Sequence, residues 1–193
     1  MNWYEKLNQY FPIEEMKSKE HLDLLLKEKA EIYYKDEGQN HVMMYVETDD
    51  FIFVDYLFVS KEARGQGLGK KLLNQLKSKK KPIILEVEPV DYSDTDTEKR
   101  QNFYNREGFT HAKSIGYKRR SLATNEVNEL EILYWAPDNE SEKVIYDQMK
   151  QTYEMIHTYK DELIYGTAYE SVDEVLTFEE KKKKQASDQV TPS

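Results

Sequence analysis

Cysteine is absent from the 193-residue chain. This absence excludes disulfide bonds, thiolate metal sites and a cysteine nucleophile. The first residues, MNWYEKLNQYF, have no signal-peptide pattern, and no apolar run is long enough to cross a bilayer. We therefore expect a cytoplasmic protein that does not bind membranes.

Basic residues are outnumbered by acidic ones. The chain has 28 lysines and arginines against 37 aspartates and glutamates, which gives a formal net charge of −9. A nucleic-acid binder is expected to carry a basic face, so this balance argues against nucleic acid as a partner. An acidic protein suits a cationic ligand such as an amine, but acidity also serves solubility alone.

The sequence also lacks histidines at the spacing of a metal-binding motif. The chain has four histidines, which are scattered, and no motif of the H-E-x-x-H kind occurs. We expect no metal site. The histidines are His21, His41, His111 and His157.

The apolar pattern predicts one α+β domain over residues 1–137. Apolar runs bounded by turn residues predict strands, and leucines spaced by three and four predict helices. The predicted elements, in chain order, are a helix (13–29), a strand (31–36), a hairpin (41–47 and 51–60), a helix from Leu68, a strand (83–88), a helix (96–107) and a last hairpin (108–120 and 130–136).

Beyond Pro137 the pattern changes. Apolar residues recur at helical spacing and predict a long amphipathic helix in a C-terminal extension, residues 138–178, that packs on the domain. Residues 179–193, EEKKKKQASDQVTPS, predict a disordered charged tail. The residues of the amphipathic stripe are Ile145, Met149, Tyr153, Ile156, Tyr159 and Leu163.

A glycine-rich stretch, SKEARGQGLGKK (residues 60–71), lies between a predicted strand and a predicted helix. Backbone N–H groups at such a helix start bind phosphate, and glycine permits close approach of a ligand. The stretch is not a P-loop, because Lys71 follows Gly69-Lys70 and Arg64 occupies the position of the first glycine. It also misses the Rossmann spacing by one residue. The remaining pattern, Arg-x-x-Gly-x-Gly, fits either a pyrophosphate site or a tight structural turn.

Two segments together carry a resemblance to a known family. YLFVSKEARGQGLGKKLL (residues 56–73) resembles the acetyl-CoA-binding segment of GNAT-type N-acetyltransferases, and FYNREGF (residues 103–109) resembles the other hallmark of that superfamily. The likeness extends over roughly residues 13–135. It implies a mixed, mostly antiparallel twisted sheet flanked by helices. In that sheet two central parallel strands, 51–59 and 82–88, would splay apart around the acetyl-pantetheine arm.

The resemblance implies acetyl-CoA as co-substrate. Val59 would offer its backbone to the pantetheine arm, and the loop from Arg64 to Lys70 would surround the pyrophosphate. One departure concerns a family asparagine whose position holds Thr97 here, with Asn102 nearer the tyrosine motif. The implied cofactor-binding residues are Phe58, Val59, Arg64, Gly65, Gln66, Gly67, Leu68, Gly69, Lys70, Asn102 and Tyr104.

Acetyl transfer to an amine requires removal of a proton from the amine and delivery of one to the leaving thiolate. Tyr104 matches the family tyrosine near the coenzyme sulfur and is the candidate acid, although with 15 tyrosines in the chain a core role is the alternative. Asp55, which strand alternation puts on the same side as Phe53 and Leu57, is the first candidate base. Glu88 is a further candidate base.

Two further carboxylates, Glu47 and Glu86, lie on neighbouring predicted strands and remain open as bases. The resulting hypothesis is an N-acetyltransferase that works by direct attack in a ternary complex. The acceptor would be a primary amine of a small molecule or a protein. The alternative is a catalytically inactive module of the same fold that binds acyl-CoA or regulates a partner. Either would be a monomer or a homodimer.

Overall fold

A computed structural model describes residues 1–121 and 123–180. Most of the predicted tail, residues 181–193, lies outside the described residues. The helices are α1 (Trp3–Tyr10), α2 (Lys19–Glu28), α3 (Leu68–Lys77), α4 (Thr95–Arg106), α5 (Glu142–Thr152), α6 (Asp161–Tyr165) and α7 (Val172–Val175). The strands are β1 (Tyr33–Gly38), β2 (His41–Glu47), β3 (Ile52–Val59), β4 (Ile83–Val87), β5 (Thr110–His111), β6 (Ile115–Arg120), β7 (Val127–Trp135) and β8 (Leu176–Phe178).

The strands form one mixed sheet in the order β1-β2-β3-β4-β7-β6-β8, with β5 paired to β7. β3 and β4 are parallel, whereas the other pairs among the described strands are antiparallel. The parallel pairing starts at Ile52 with Ile83 and stops at Val54 with Leu85, while β3 runs on to Val59. The predicted α+β fold with separating central strands is confirmed.

β3 carries a bulge at Asp55. Tyr45 pairs with Val54 and Met44 pairs with Tyr56, so Asp55 is an extra residue opposite β2. A bulge resets the alternation of side chains along a strand. Phe53 and Tyr56 consequently pack in the same core cluster. The expectation that Asp55 shares a side with both Phe53 and Leu57 is wrong for Leu57, which packs in the opposite cluster.

Two apolar clusters cover the two faces of the sheet. The larger cluster joins α1, α2 and α5 to the sheet and includes Leu7, Leu25 and Met149. The smaller one packs α3 and α4 against the other face, through residues such as Leu72 and Tyr104. The separating ends of β3 and β4 therefore lie between two helical layers.

The N-terminal segment differs from its prediction. The helix expected from Ile13 begins instead at Lys19, because the side chain of Ser18 accepts a hydrogen bond from the His21 N–H and caps the helix. Ahead of it lies α1, which the apolar pattern did not predict and which starts at a capping box formed by Asn2 and Glu5. Residues 11–18 connect the two helices.

The predicted long C-terminal helix is also interrupted. α5 continues into a π-helical turn, Tyr153–His157, and the chain then bends at Lys160, whose φ is 52°. The first four residues of the apolar stripe are buried as expected, but Leu163 is 76% exposed. β8 then pairs with β6 and adds a strand that the pattern did not predict. Within residues 1–121 and 123–180, no helix is both long and apolar enough for a membrane span.

Candidate functional site

A cavity of about 490 Å³ opens where β3 and β4 separate. Both the glycine-rich loop and a group of ionisable side chains line it. Tyr104 lies along its wall. The sheet geometry thus creates a single continuous space between a phosphate-type loop and groups that can move protons.

The glycines of the loop have two distinct roles. Gly65 and Gly67 have φ values of +77° and +79°, a left-handed conformation that favours glycine, and a Cβ atom at either would meet nothing within 4 Å. A Cβ on Gly69 would lie 3.0 Å from the Phe103 ring, so this glycine allows α3 to pack against α4. No described side chain caps the N-terminus of α3, which begins after Gly67. The free N–H groups of that first turn can bind an anion.

Arg64 holds the loop to the end of β3. Its Nε donates a hydrogen bond to the Val59 carbonyl over 3.1 Å, and its guanidinium lies 4.9 Å from the centre of the Tyr10 ring. Gln66 likewise donates to the backbone oxygen of Glu62 over 2.7 Å. Both side chains are therefore engaged in shaping the loop.

Most residues of the predicted cofactor set border the cavity. The cavity wall includes Val59, Arg64, Gly65, Gly67, Leu68, Gly69, Lys70 and Tyr104. Three residues of the set are not part of that wall in the described structure: Phe58, Gln66 and Asn102. The Phe58 ring packs instead against Tyr10, with ring centres 5.7 Å apart.

Tyr104 is buried on α4, and its ring packs against Phe109 with centres 5.5 Å apart. Burial, together with the nearby Tyr10, raises the pKa of Tyr104 well above its ordinary value. The phenol therefore keeps its proton at neutral pH. A protonated hydroxyl on the wall of a cavity is able to act as a general acid.

Asp55 is buried against a lysine. Its Oδ1 accepts from Lys17 Nζ over 2.6 Å, and its Oδ2 accepts from the Tyr33 hydroxyl over 2.6 Å. The side chains of Lys17 and Asp55 are 5% and 3% exposed. Burial lowers the pKa of Lys17, and Asp55 opposes that shift. Both carboxylate oxygens of the first candidate base are thus already engaged.

Glu86 belongs to a second buried network. Arg119 donates to Nδ1 of His157 over 2.9 Å, and Nε2–H of His157 donates to Glu86 over 2.7 Å. Burial lowers the pKa of His157 to about 4, so the ring is neutral in this arrangement. Burial alone would raise the pKa of Glu86, but His157 and Arg119 bring it down to about 2. Glu86 is therefore a poor base at neutral pH.

Glu47 lies elsewhere, since Lys79 and Lys81 bind it over 2.6 and 3.2 Å. It is not among the described residues that line the cavity. In the described part of the chain, no group of three or more histidines and carboxylates is arranged to hold a metal ion.

Glu88 meets a second carboxylate that the sequence did not indicate. Arg100 NH1 lies 3.4 Å from Glu88 Oε2 and 3.9 Å from Glu15 Oε1. Burial and the neighbouring Glu88 carboxyl group raise the pKa of Glu15 well above the ordinary glutamate range. Glu15 lies in the connection between α1 and α2, where no motif or periodicity could single it out. The structure brings Glu15, Glu88, Arg100 and Tyr104 to one cavity.

Comparisons with known proteins agree with this architecture. The family model described as "Acetyltransferase (GNAT) domain" matches residues 25–111. A curated protein of Bacillus subtilis (strain 168), described as "Putative acetyltransferase YjbC", is 67% identical over 192 residues, which cover 99% of this chain and 100% of that protein. A solved structure described as "Putative acetyltransferase from GNAT family from Bacteroides thetaiotaomicron" has a TM-score of 0.61 and 24% identity, and the match covers 85% of this chain and 90% of that one.

Proposed function

The chain belongs to the GNAT family of acetyltransferases, and from this premise we propose that it is an N-acetyltransferase. It transfers the acetyl group of acetyl-CoA to a primary amine by direct attack in a ternary complex. The observation that carries the proposal is the cavity between β3 and β4, which runs from the glycine-rich loop to Tyr104 and the carboxylates.

The cavity suits the elongated shape of acetyl-CoA. The pyrophosphate binds the first-turn N–H groups of α3, where the space around the Cβ position of Gly67 is open. Beyond Val54 the β4 side of β3 has no paired strand among the described residues. Its backbone N–H and C=O groups need partners, and the amides of the pantetheine arm supply them.

The reaction requires two proton transfers. The amine nitrogen attacks the thioester carbon, so a C–N bond forms, the C–S bond breaks and the amine gives up a proton to a base. Tyr104 donates its proton to the leaving sulfur. A primary amine is protonated at neutral pH, since its pKa is roughly 10.4. The carboxylates at the cavity end favour such a cationic acceptor, either a small molecule or a protein amino group.

A screen for thiol release tests this function. Acetyl-CoA and the protein are mixed with a panel of primary amines and of peptides with free amino groups, and the CoA thiol is measured with a thiol-reactive dye. We expect release that depends on the amine. If acetyl-CoA binds and no amine promotes release, the inactive-module alternative is favoured instead.

The phosphate assignment is tested with Gly67→Glu. Steric block and charge repulsion should weaken acetyl-CoA binding by at least about tenfold in a calorimetric titration. The matched control is Gly166→Glu, because Gly166 also has a positive φ, +72°, and open space around its Cβ position, yet lies outside the cavity wall. Equal affinities of the two variants would contradict the assignment.

A further inference from the structure

Two carboxylates approach one guanidinium at the end of the cavity. Arg100 NH1 lies within 4.0 Å of both Glu15 and Glu88, at 3.9 and 3.4 Å. The Glu15 side chain is 16% exposed, and Glu15 is one of the residues that line the cavity. One positive charge therefore serves two negative groups that both border the space where the acceptor would enter.

The same group lies close to the candidate acid. Arg100 and Tyr104 are four residues apart on α4, so they share one face of that helix. The charge of Glu15 also contributes to the raised pKa of the Tyr104 phenol. Glu15 is thus near enough to the phenol to interact with it electrostatically.

Two other carboxylates at the cavity, Asp55 and Glu86, already have fixed partners. Asp55 accepts from Lys17 and Tyr33 through both oxygens. Glu86 is bound by His157 and lies 3.8 Å from Arg119. Glu15 Oε1, by contrast, is a buried atom to which no hydrogen bond is donated within the described structure.

We propose that Glu15, acting with Glu88, accepts the proton of the attacking amine. This inference rests on the acetyl transfer proposed above. Burial and the neighbouring Glu88 raise the pKa of Glu15, so Glu15 retains its proton to higher pH than a lone glutamate. When that proton is lost, the pair and Arg100 together carry one unneutralised negative charge. That charge binds an ammonium group and selects amines over neutral alcohols.

The proton balance closes with the groups of this cavity. The ammonium gives one proton to the ionised pair, and the neutral amine attacks the thioester carbon. The second amine proton leaves as the C–N bond forms and passes to solvent. Tyr104 protonates the departing sulfur and regains a proton from the Glu15–Glu88 pair. The products are the acetamide and the free thiol of CoA.

The test compares Glu15→Gln with Glu14→Gln. Both changes remove one negative charge from the same connection, but Glu14 is not part of the cavity wall. We expect Glu15→Gln to lower kcat at neutral pH by roughly 10²–10⁴-fold. We also expect it to remove the acidic limb of the pH profile of kcat/KM, because that limb reports the loss of the Glu15 proton. The affinity for acetyl-CoA should stay within about twofold, because the loop binds the pyrophosphate. Glu14→Gln should match the wild type.

If the wild type is active and Glu15→Gln keeps both its rate and the acidic limb of its pH profile, this inference alone is overturned. A wild type that acetylates no amine of the panel overturns the proposed function as well. A second measurement needs no acceptor: the carboxyl carbons of ¹³C-labelled glutamates are titrated by NMR. We expect one resonance to titrate well above the ordinary glutamate range and to move to lower pH in Glu88→Gln. Ordinary acidic titration of every glutamate would overturn the proposal.

Discussion

The carboxylates of the cavity differ in whether each has a positively charged partner of its own. Asp55 is matched by Lys17, and Glu86 is matched by Arg119 and His157. Such compensated charges are held in place and resist a change of protonation. Glu15 shares its cation with another carboxylate, and burial raises its pKa above the ordinary glutamate range.

Tyr104 provides a test at the scale of a single atom. Tyr104→Phe removes the proton that we propose is given to the leaving sulfur, but it keeps the ring. We expect kcat to fall by roughly 10²–10⁴-fold, while calorimetry gives an unchanged affinity for acetyl-CoA. Tyr92→Phe is the control, because Tyr92 is exposed and lies outside the cavity wall. An unchanged kcat, measured where chemistry limits turnover, would make Tyr104 a packing residue.

Individual site residues could be predicted from the sequence only where they belong to a motif. The glycine-rich loop and the tyrosine motif are recognisable because residue type and spacing are fixed together. Glu15 carries no such signal, since it becomes special only when α4 brings Arg100 to it. The engagement of Asp55 by Lys17 joins residues 38 positions apart and has no local signature either.

At the scale of elements, the connection between α1 and α2 is fixed to the bulge of β3. The Lys17 N–H donates to the Tyr56 hydroxyl over 2.9 Å, and that hydroxyl donates to the Glu15 carbonyl over 3.0 Å. Lys17 Nζ binds Asp55, the residue just before Tyr56. Two consecutive strand residues can hold the same segment because the bulge interrupts the alternation. The bulge thereby positions Glu15.

Asp55→Asn tests this attachment. The change leaves Lys17 buried without its counter-charge, which should destabilise the protein by about 3–5 kcal/mol in urea unfolding. The exposed Asp50 supplies the control variant, Asp50→Asn, with little expected effect. In the folded fraction, the acidic limb of the pH–rate profile should remain. Loss of that limb with normal stability would identify Asp55 as the base, as the sequence suggested.

Element prediction succeeded where periodicity was strong and local. The first hairpin, the helix after the glycines and the strand at residues 83–87 follow from apolar spacing alone. The bulge at Asp55 could not be predicted from the sequence, because an apolar run with one added residue has the same pattern as a continuous strand. The break after His157 was missed because the spacing of Tyr159 and Leu163 continued the helical pattern. β8 is only three residues long and exists through its pairing with β6.

At the scale of the whole molecule, the two ends of the described chain share one core. Nε2–H of His21 donates to the Ile156 carbonyl over 2.8 Å, and the Tyr165 hydroxyl donates to Nδ1 of His21 over 3.0 Å. The Ser18 N–H donates to the same hydroxyl over 2.9 Å. The division into a domain and an extension at Pro137 stays a prediction, with the larger core cluster drawing on both sides of it.

This shared core predicts sensitivity to acid. Burial and the nearby Lys17 lower the pKa of His21 to about 3, whereas an unfolded histidine titrates near 6.5. Below about pH 6.5 the unfolded state binds the extra proton, so stability is lost as pH falls, by about 1.4 kcal/mol per pH unit for this group. Glu15 contributes in the opposite direction, because its folded pKa is raised.

The measurement compares urea unfolding at pH 6.5 and 5.5 in the wild type and in His21→Gln. The variant should lose about 1 kcal/mol less than the wild type over that interval, because half of the unfolded histidine is already protonated at pH 6.5. His111→Gln is the control, since His111 is half-buried and lies outside the contacts that join the chain ends. Equal pH slopes for wild type and His21→Gln would contradict a buried neutral His21.

The central claim is that this fold aligns a thioester and an amine for direct transfer within one cavity. A rapid-quench single turnover tests it, with protein in excess over isotopically labelled acetyl-CoA and an amine from the panel. We predict that the labelled acetyl group appears on the amine at the same rate as the CoA thiol is released, while the mass of the protein stays unchanged. An acetylated protein intermediate, or bound acetyl-CoA that never transfers its acetyl group, would contradict the account.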